Sequence, residues 1–159
     1  MMIAVIGGND PSQDALPAAE AVGLEIASRG HTLICGGRGG VMEAACKGAR
    51  EAGGHTIGVL PGPDSSGANE YVGFPIVTNM GFARNAIIAL TADALIAIDG
   101  SYGTLSEIAM ALGYGKPVIG LDTWHITPGS GVEDERIVRA ESPAQAVERA
   151  IAAARGDEA

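Results

Sequence analysis

The chain has 159 residues, a length suited to one domain with a single core, and 47% of them are hydrophobic. Its 19 acidic and 10 basic residues leave a net charge of −9, which disfavours general binding to nucleic acid or to anionic membranes. A single phosphate cradled by backbone N–H groups remains compatible with that charge.

The two cysteines, Cys35 and Cys46, show neither metal-ligand spacing nor a disulfide framework. No apolar run reaches the ~18 residues of a membrane span. A cytoplasmic protein without a metal or other cofactor is therefore expected. Residues 2–6 form a short apolar run ended by Gly7-Gly8, and the stretch reads as a first strand rather than a leader because no basic segment precedes it. Leu16, Ala19, Val22 and Ile26 recur at helical spacing, which predicts a helix over 16–28 closed by Arg29-Gly30. A strand over 31–35, a helix over 41–52 and a strand over 55–60 follow. Residues 61–73 are one long irregular loop rich in Gly, Pro, Ser and Asp, and loops of that kind are often functional.

Beyond it the pattern predicts a strand over 74–78, a helix over 80–91, a strand over 93–98, a helix over 104–114 and a strand over 117–121. A second loop covers 122–135, and 136–140 reads as a short edge strand. Ser142-Pro143-Ala144-Gln145 is a capping box with proline at the first helical position, opening a last helix that runs to about residue 155. Alternating strands and helices with short connections predict a doubly wound α/β fold. It has three layers, with a parallel sheet of six to seven strands and helices on both faces. No boundary interrupts 1–155, so that stretch is expected to be one nucleotide-binding domain, with a polar tail over 156–159.

In such a sheet the carboxyl ends of the strands share one edge, where ligands bind. Three strand-to-helix turns on that edge are glycine-bearing: Gly7-Gly8, Gly36-Gly37-Arg38-Gly39-Gly40 and Gly100-Ser101-Tyr102-Gly103-Thr104. Each could be no more than a tight turn. Three together, each leading to a helix N-terminus with free N–H groups, point to a phosphate-bearing ligand. None is the dinucleotide fingerprint, and no P-loop lysine is present, the only lysines being Lys47 and Lys116.

Few side chains offer chemistry. Arg84 is the only basic residue between Arg50 and Lys116; it suits a surface or interface position, or a permanent cation gripping phosphate or carboxylate. Glu107 follows Thr104 by three residues, the spacing of a capping box, and such a carboxylate also faces the ligand edge. Arg38 is either a solvated loop residue or a phosphate contact. His31 and His55 fall at the opposite edge of the sheet, and His125 sits in a loop.

With these residues in view, the chain resembles the LOG ("Lonely guy") family of Rossmann-like nucleotide phosphoribohydrolases, once called lysine decarboxylases. The family's Pro-Gly-Gly-x-Gly-Thr-x-x-Glu is matched by Asp99-Gly100-Ser101-Tyr102-Gly103-Thr104-Leu105-Ser106-Glu107. Its Met-x-x-Arg-Lys element is similar to Met80-Gly81-Phe82-Ala83-Arg84-Asn85, and its Gly-Gly-x-x-x-Gly-Leu-Met to the turn at Gly36. The match is to a short, divergent branch related to molybdenum-cofactor carrier proteins, which bind without turnover. The resemblance implies metal-free hydrolysis of the N-glycosidic bond of a nucleoside 5′-monophosphate. Arg84 and Glu107 would be the catalytic pair, with the phosphate on the turn 100–104. It further implies a homodimer or higher homo-oligomer whose sites border the partner copy. Its implied ligand is a small phosphorylated molecule, not nucleic acid or membrane. Asp99, Ser101 and Asn85 depart from the pattern; Asp99 brings a carboxylate near the expected phosphate, and Asn85 removes a cation.

Overall fold

Apolar runs without helical spacing become strands, and in the computed structural model, which describes residues 1–129 and 131–157, they pair into one sheet. The strands are β1 (Met2–Gly7), β2 (Thr32–Cys35), β3 (Thr56–Leu60), β4 (Phe74–Val77), β5 (Ala94–Ile98), β6 (Val118–Leu121) and β7 (Ile137–Arg139). Their order is β4-β3-β2-β1-β5-β6-β7, and every pairing is parallel. The expected six to seven strands are thus seven, and the doubly wound α/β class holds.

The helices are α1 (Ala15–Ser28), α2 (Val41–Glu51), α3 (Asn85–Thr91), α4 (Tyr102–Gly113) and α5 (Pro143–Arg155). Strand side chains alternate between the two faces. Ile3, Val5, Cys35, Ile96 and Ile98 pack with α1, α2 and α5, whereas Ala4, Ile6, Leu95 and Ala97 pack with α3 and α4. The result is three layers, as the alternation of elements predicts.

Helices α1 and α2 touch backbone to backbone. A Cβ at Gly23 would lie 1.9 Å from the Ala45 carbonyl oxygen, and one at Gly48 would lie 1.9 Å from that of Glu20. Only glycine permits this approach. Beneath α2, Cys35 and Cys46 are fully buried free thiols whose Sγ atoms lie 3.5 Å apart, and Gly37 N donates to Cys35 Sγ. At α5 half of the predicted capping box forms: Gln145 N donates to the N-cap Ser142 Oγ, but Gln145 Oε1 accepts from Glu141 N, one residue before the N-cap, rather than from Ser142 N.

Two helix starts differ from the sequence reading. The helix expected over 80–91 is split into a 3-10 turn, Gly81–Arg84, followed by α3. Gly81, at φ +55°, keeps the helix from reaching back to Met80, whereas Arg84 and Asn85 are both right-handed and the 3-10 turn runs directly into α3. The helix expected to open at Thr104 opens at Tyr102. Gly100, at φ +119°, makes the sharp entry, and Ser101 is the extended N-cap. Thr104 is therefore inside the first turn, and the Thr104–Glu107 spacing is not a capping box.

The strand order positions the candidate site. The chain leaves β1 toward β2 on one side, and after β4 returns to dock β5 on the other side of β1. Residues 7, 35 and 98 end the adjacent strands β1, β2 and β5. The three glycine turns, far apart in sequence, thus follow three neighbouring strands at the point where the strand order reverses.

Candidate functional site

The glycines let the turns close on one another. A Cβ on Gly7 would fall 2.5 Å from Val41 Cγ1 and 2.7 Å from the Ile98 carbonyl oxygen, so the end of β1 is clasped between α2 and β5. Gly40, at φ +65°, lies against Gly8, and Val41 N donates to Gly8 O at 3.1 Å. The long loop seals the second turn from outside: Asn69 N donates to Gly37 O, and Asn69 Nδ2 to Arg38 O.

A cleft of about 850 Å³ opens where these turns meet the 3-10 turn and α4. Of the residues expected at a ligand site, Gly7, Gly8, Arg38, Arg84, Ser101, Tyr102, Gly103, Thr104 and Glu107 line it. Gly36, Gly37, Gly39, Gly40 and Gly100 are not in its lining. Gly36 backs the Arg84 guanidinium so closely that a Cβ there would lie 2.4 Å from Nη2.

Asp99 is elsewhere. Its carboxylate accepts from Ser12 N and from Gly100 N, each at 2.7 Å, and lines a smaller pocket with Ser12, Asp14 and Asp122. The backbone N–H of Ser12, and then that of Gly100, hold its pKa below the usual carboxylate range. The carboxylate expected beside the phosphate is thus turned into its own loop, and Gly100 N–H is already engaged.

At the centre of the cleft Arg84 and Glu107 are both buried, at 7% and 6% exposure. Arg84 Nη1 stands 3.7 Å from Glu107 Oε1, beyond hydrogen-bond distance. Among the described residues, Arg84 Nε and Nη1 have no hydrogen-bond partner, nor does the buried hydroxyl of Thr104. Buried polar groups are normally satisfied, and three orphaned donors at one cleft suit an anionic ligand. The first N–H groups of α4 add to them, since no carbonyl one turn back accepts their bonds.

Burial pushes the Glu107 carboxyl up to about 7, with Arg84 pulling the other way. Burial likewise holds the Arg84 guanidinium below its ordinary value, with Glu107 opposing. Desolvation wins over an attraction that 3.7 Å leaves incomplete. An arginine stays charged regardless. The site is therefore a fixed cation beside a carboxyl that changes protonation near neutrality, the condition of a catalytic acid or base.

Sequence reasoning did not reach Asn9, Met42, Pro61, Phe82, Ser106 and Met110 as site residues, and noted Asn85 only as a lost cation; all of them line the cleft. Asn85 stands where the family pattern has lysine. Its Nδ2 donates to Ser106 Oγ at 3.0 Å, and that hydroxyl donates to Gly103 O at 2.7 Å, so a neutral bridge ties α3 to the first turns of α4. Helical spacing from Gly103 leads to Ser106, Glu107 and Met110 as wall residues. Met42 carries no comparable signal.

The chain matches the SLOG cluster4 family over residues 1–147. It is 36% identical over 124 residues to a cytokinin riboside 5′-monophosphate phosphoribohydrolase from Mycobacterium tuberculosis. That match covers 70% of this chain and 64% of the relative, so the chain spans under two thirds of that protein. Among solved structures it is similar to the molybdenum cofactor binding protein of Rippkaea orientalis, with 36% identity, 96% of each chain covered and a TM-score of 0.88. It is also similar to the molybdenum cofactor carrier protein of Chlamydomonas reinhardtii, with 38% identity, 98% of each covered and a TM-score of 0.83.

Proposed function

The chain belongs to the SLOG cluster4 family, and on that premise we propose that its cleft binds a nucleoside 5′-monophosphate and hydrolyses the N-glycosidic bond to give free base and ribose 5-phosphate. The observation that carries this reading is the buried, incompletely paired Arg84–Glu107 couple beside the orphaned Thr104 hydroxyl. The phosphorylase-free chemistry needs three things: an anion site, a negative group near the sugar, and a water.

The phosphate sits at the start of α4, on the Ser101–Thr104 N–H groups and the Thr104 hydroxyl, with Arg38 at the rim. As the bond from C1′ to the base nitrogen breaks, the ribose gains oxocarbenium character. The ionised Glu107 stabilises that charge and takes the proton of the attacking water, whose oxygen bonds C1′. The base leaves with the bonding electron pair and takes a proton from solvent. Arg84 holds the Glu107 carboxylate or the phosphate in place. Because Glu107 acts ionised, the rate rises with pH through about 7 and levels off above it.

The protein acts as a homodimer or higher homo-oligomer. Met80, Leu90 and Tyr114 present half-exposed apolar surface on the layer of α3 and α4. Light scattering on a sizing column tests this: a monomer mass sinks it, and Leu90→Glu shifts a dimer toward monomer. Nucleic acid and membranes are not its partners, given the charge of −9.

Incubation with AMP and with N6-isopentenyl-AMP tests the enzymatic reading. Free base appears, and it disappears in Glu107→Gln and Arg84→Ala proteins that remain folded. A second reading has one observation in its favour, the likeness over nearly the whole chain to proteins described as binding or carrying molybdenum cofactor. On that reading the same anion site carries a phosphorylated pterin without turnover. Tight binding with no base release across a nucleotide panel selects it.

A further inference from the structure

The chain has few aromatic residues: two Phe, three Tyr and one Trp. The two most exposed large apolar side chains among the described residues are both aromatic and both at this cleft: Phe82, 82% exposed, and Tyr102, 81% exposed. Large aromatics left in water at a cleft mouth have a binding use, because their burial by a ligand releases that surface.

Tyr102 is also held. Its ring packs on that of Trp124, with centroids 5.8 Å apart and planes tilted by 41°. The indole is fixed in turn, since Trp124 Nε1 donates to Ser101 O at 3.3 Å. Next to it Thr123 Oγ1 donates to the carbonyl of Asp99. The loop after β6 thus braces the turn before α4 from outside and backs one face of the tyrosine. Phe82 reaches the same place from the other element, its ring edge 3.8 Å from where a Cβ on Gly103 would stand. Tyr102 and Phe82 each precede by two residues a polar group of the floor, Thr104 and Arg84 respectively. The cleft is therefore segregated, with charged and orphaned polar groups deep and aromatic rings at the mouth.

We propose that Tyr102, backed by Trp124, is the platform on which the planar ring of the phosphorylated ligand stacks, with Phe82 walling the same end, so that these residues select for a flat heterocycle. This rests on the reading of the cleft as a nucleotide site. Stacking tolerates any base, because every base has a π face.

Trp124 is the only tryptophan and reports the event directly. Its emission is followed by stopped flow in the first second after mixing with AMP or with ribose 5-phosphate, and affinities for both are measured by calorimetry in the Glu107→Gln background, which leaves AMP unconverted. AMP quenches or shifts the emission and ribose 5-phosphate does not. Tyr102→Ala binds AMP roughly ten-fold more weakly and ribose 5-phosphate as the parent does, whereas Tyr102→Phe keeps AMP affinity. The platform is refuted if Tyr102→Ala weakens both ligands equally or neither, or if it changes the oligomer mass, which would reassign the ring to contacts between copies. If neither ligand binds the parent protein, the nucleotide reading itself falls and the platform with it.

Discussion

Replacing Glu107 with glutamine isolates the energetic cost of the candidate catalytic carboxyl. Its ordinary pKa of 4.5 rises to about 7 in the folded protein, mainly through burial. A folded value above the unfolded one means that protonation favours the native state. The associated stability is present below about 4.5 and is lost as pH rises through 7. Each tenfold change in proton affinity corresponds to 1.36 kcal/mol, so ionisation costs the fold ~3 kcal/mol by pH 8. Glutamine has the shape of the protonated carboxyl and leaves Arg84 in the surroundings it has at low pH. The variant therefore gains on the parent by ~3 kcal/mol between pH 4.5 and 8, or about 6 to 12 °C in melting temperature for a chain of this size, while losing base release. Urea unfolding of both proteins at intervals from pH 4.5 to 9 reads the difference, and all other carboxyls cancel in it. Parallel stability curves would refute the argument, since they would mean that Glu107 ionises in the native state as it does in water.

Other expected outcomes follow from single contacts. Gly36→Ala places a methyl 2.4 Å from Arg84 Nη2 and 2.7 Å from Met42 Sδ. The flexible guanidinium gives way, so thermal unfolding changes little while turnover falls by about 100-fold, the usual effect of a displaced catalytic group. Thr104→Val removes a buried hydroxyl without a partner. The ligand-free protein becomes more stable by ~1 kcal/mol, and phosphate-bearing ligands bind more weakly in calorimetry. Gly23→Ala meets a backbone carbonyl at 1.9 Å rather than a movable side chain. It costs ~3 kcal/mol in chemical denaturation by forcing α1 from α2.

Strands β1, β2 and β5 were legible because they are continuous apolar runs leading into glycine turns, and the helix over α1 because Val22 and Ile26 keep helical spacing. What could not be read locally was set by contacts distant in sequence. The carboxylate of Asp99 is satisfied by Ser12, 87 positions away, so its place in the family motif suggested a charge beside the phosphate that the fold diverts. The Thr104–Glu107 spacing matched a capping box, but the conformation of Gly100 starts α4 two residues earlier and sends Glu107 into the cleft. The near-neutral titration of Glu107 comes from burial by the whole sheet edge, which no window of sequence contains. The three glycine turns were visible one by one; that they are neighbours depends on β5 docking against β1.

That strand order also sets when the site can exist. The segment through β3 holds β1, β2 and two of the glycine turns, yet the open side of β1 is an unpaired edge until Ala94–Ile98 arrives. The third turn and both members of the Arg84–Glu107 couple belong to the half of the chain that comes later. No partly assembled intermediate can hold the ligand, so binding stabilises the completed sheet alone, by RT ln(1 + [L]/Kd). A saturating ligand thereby favours the paired state of the β1–β5 seam, which brings the third glycine turn beside the other two.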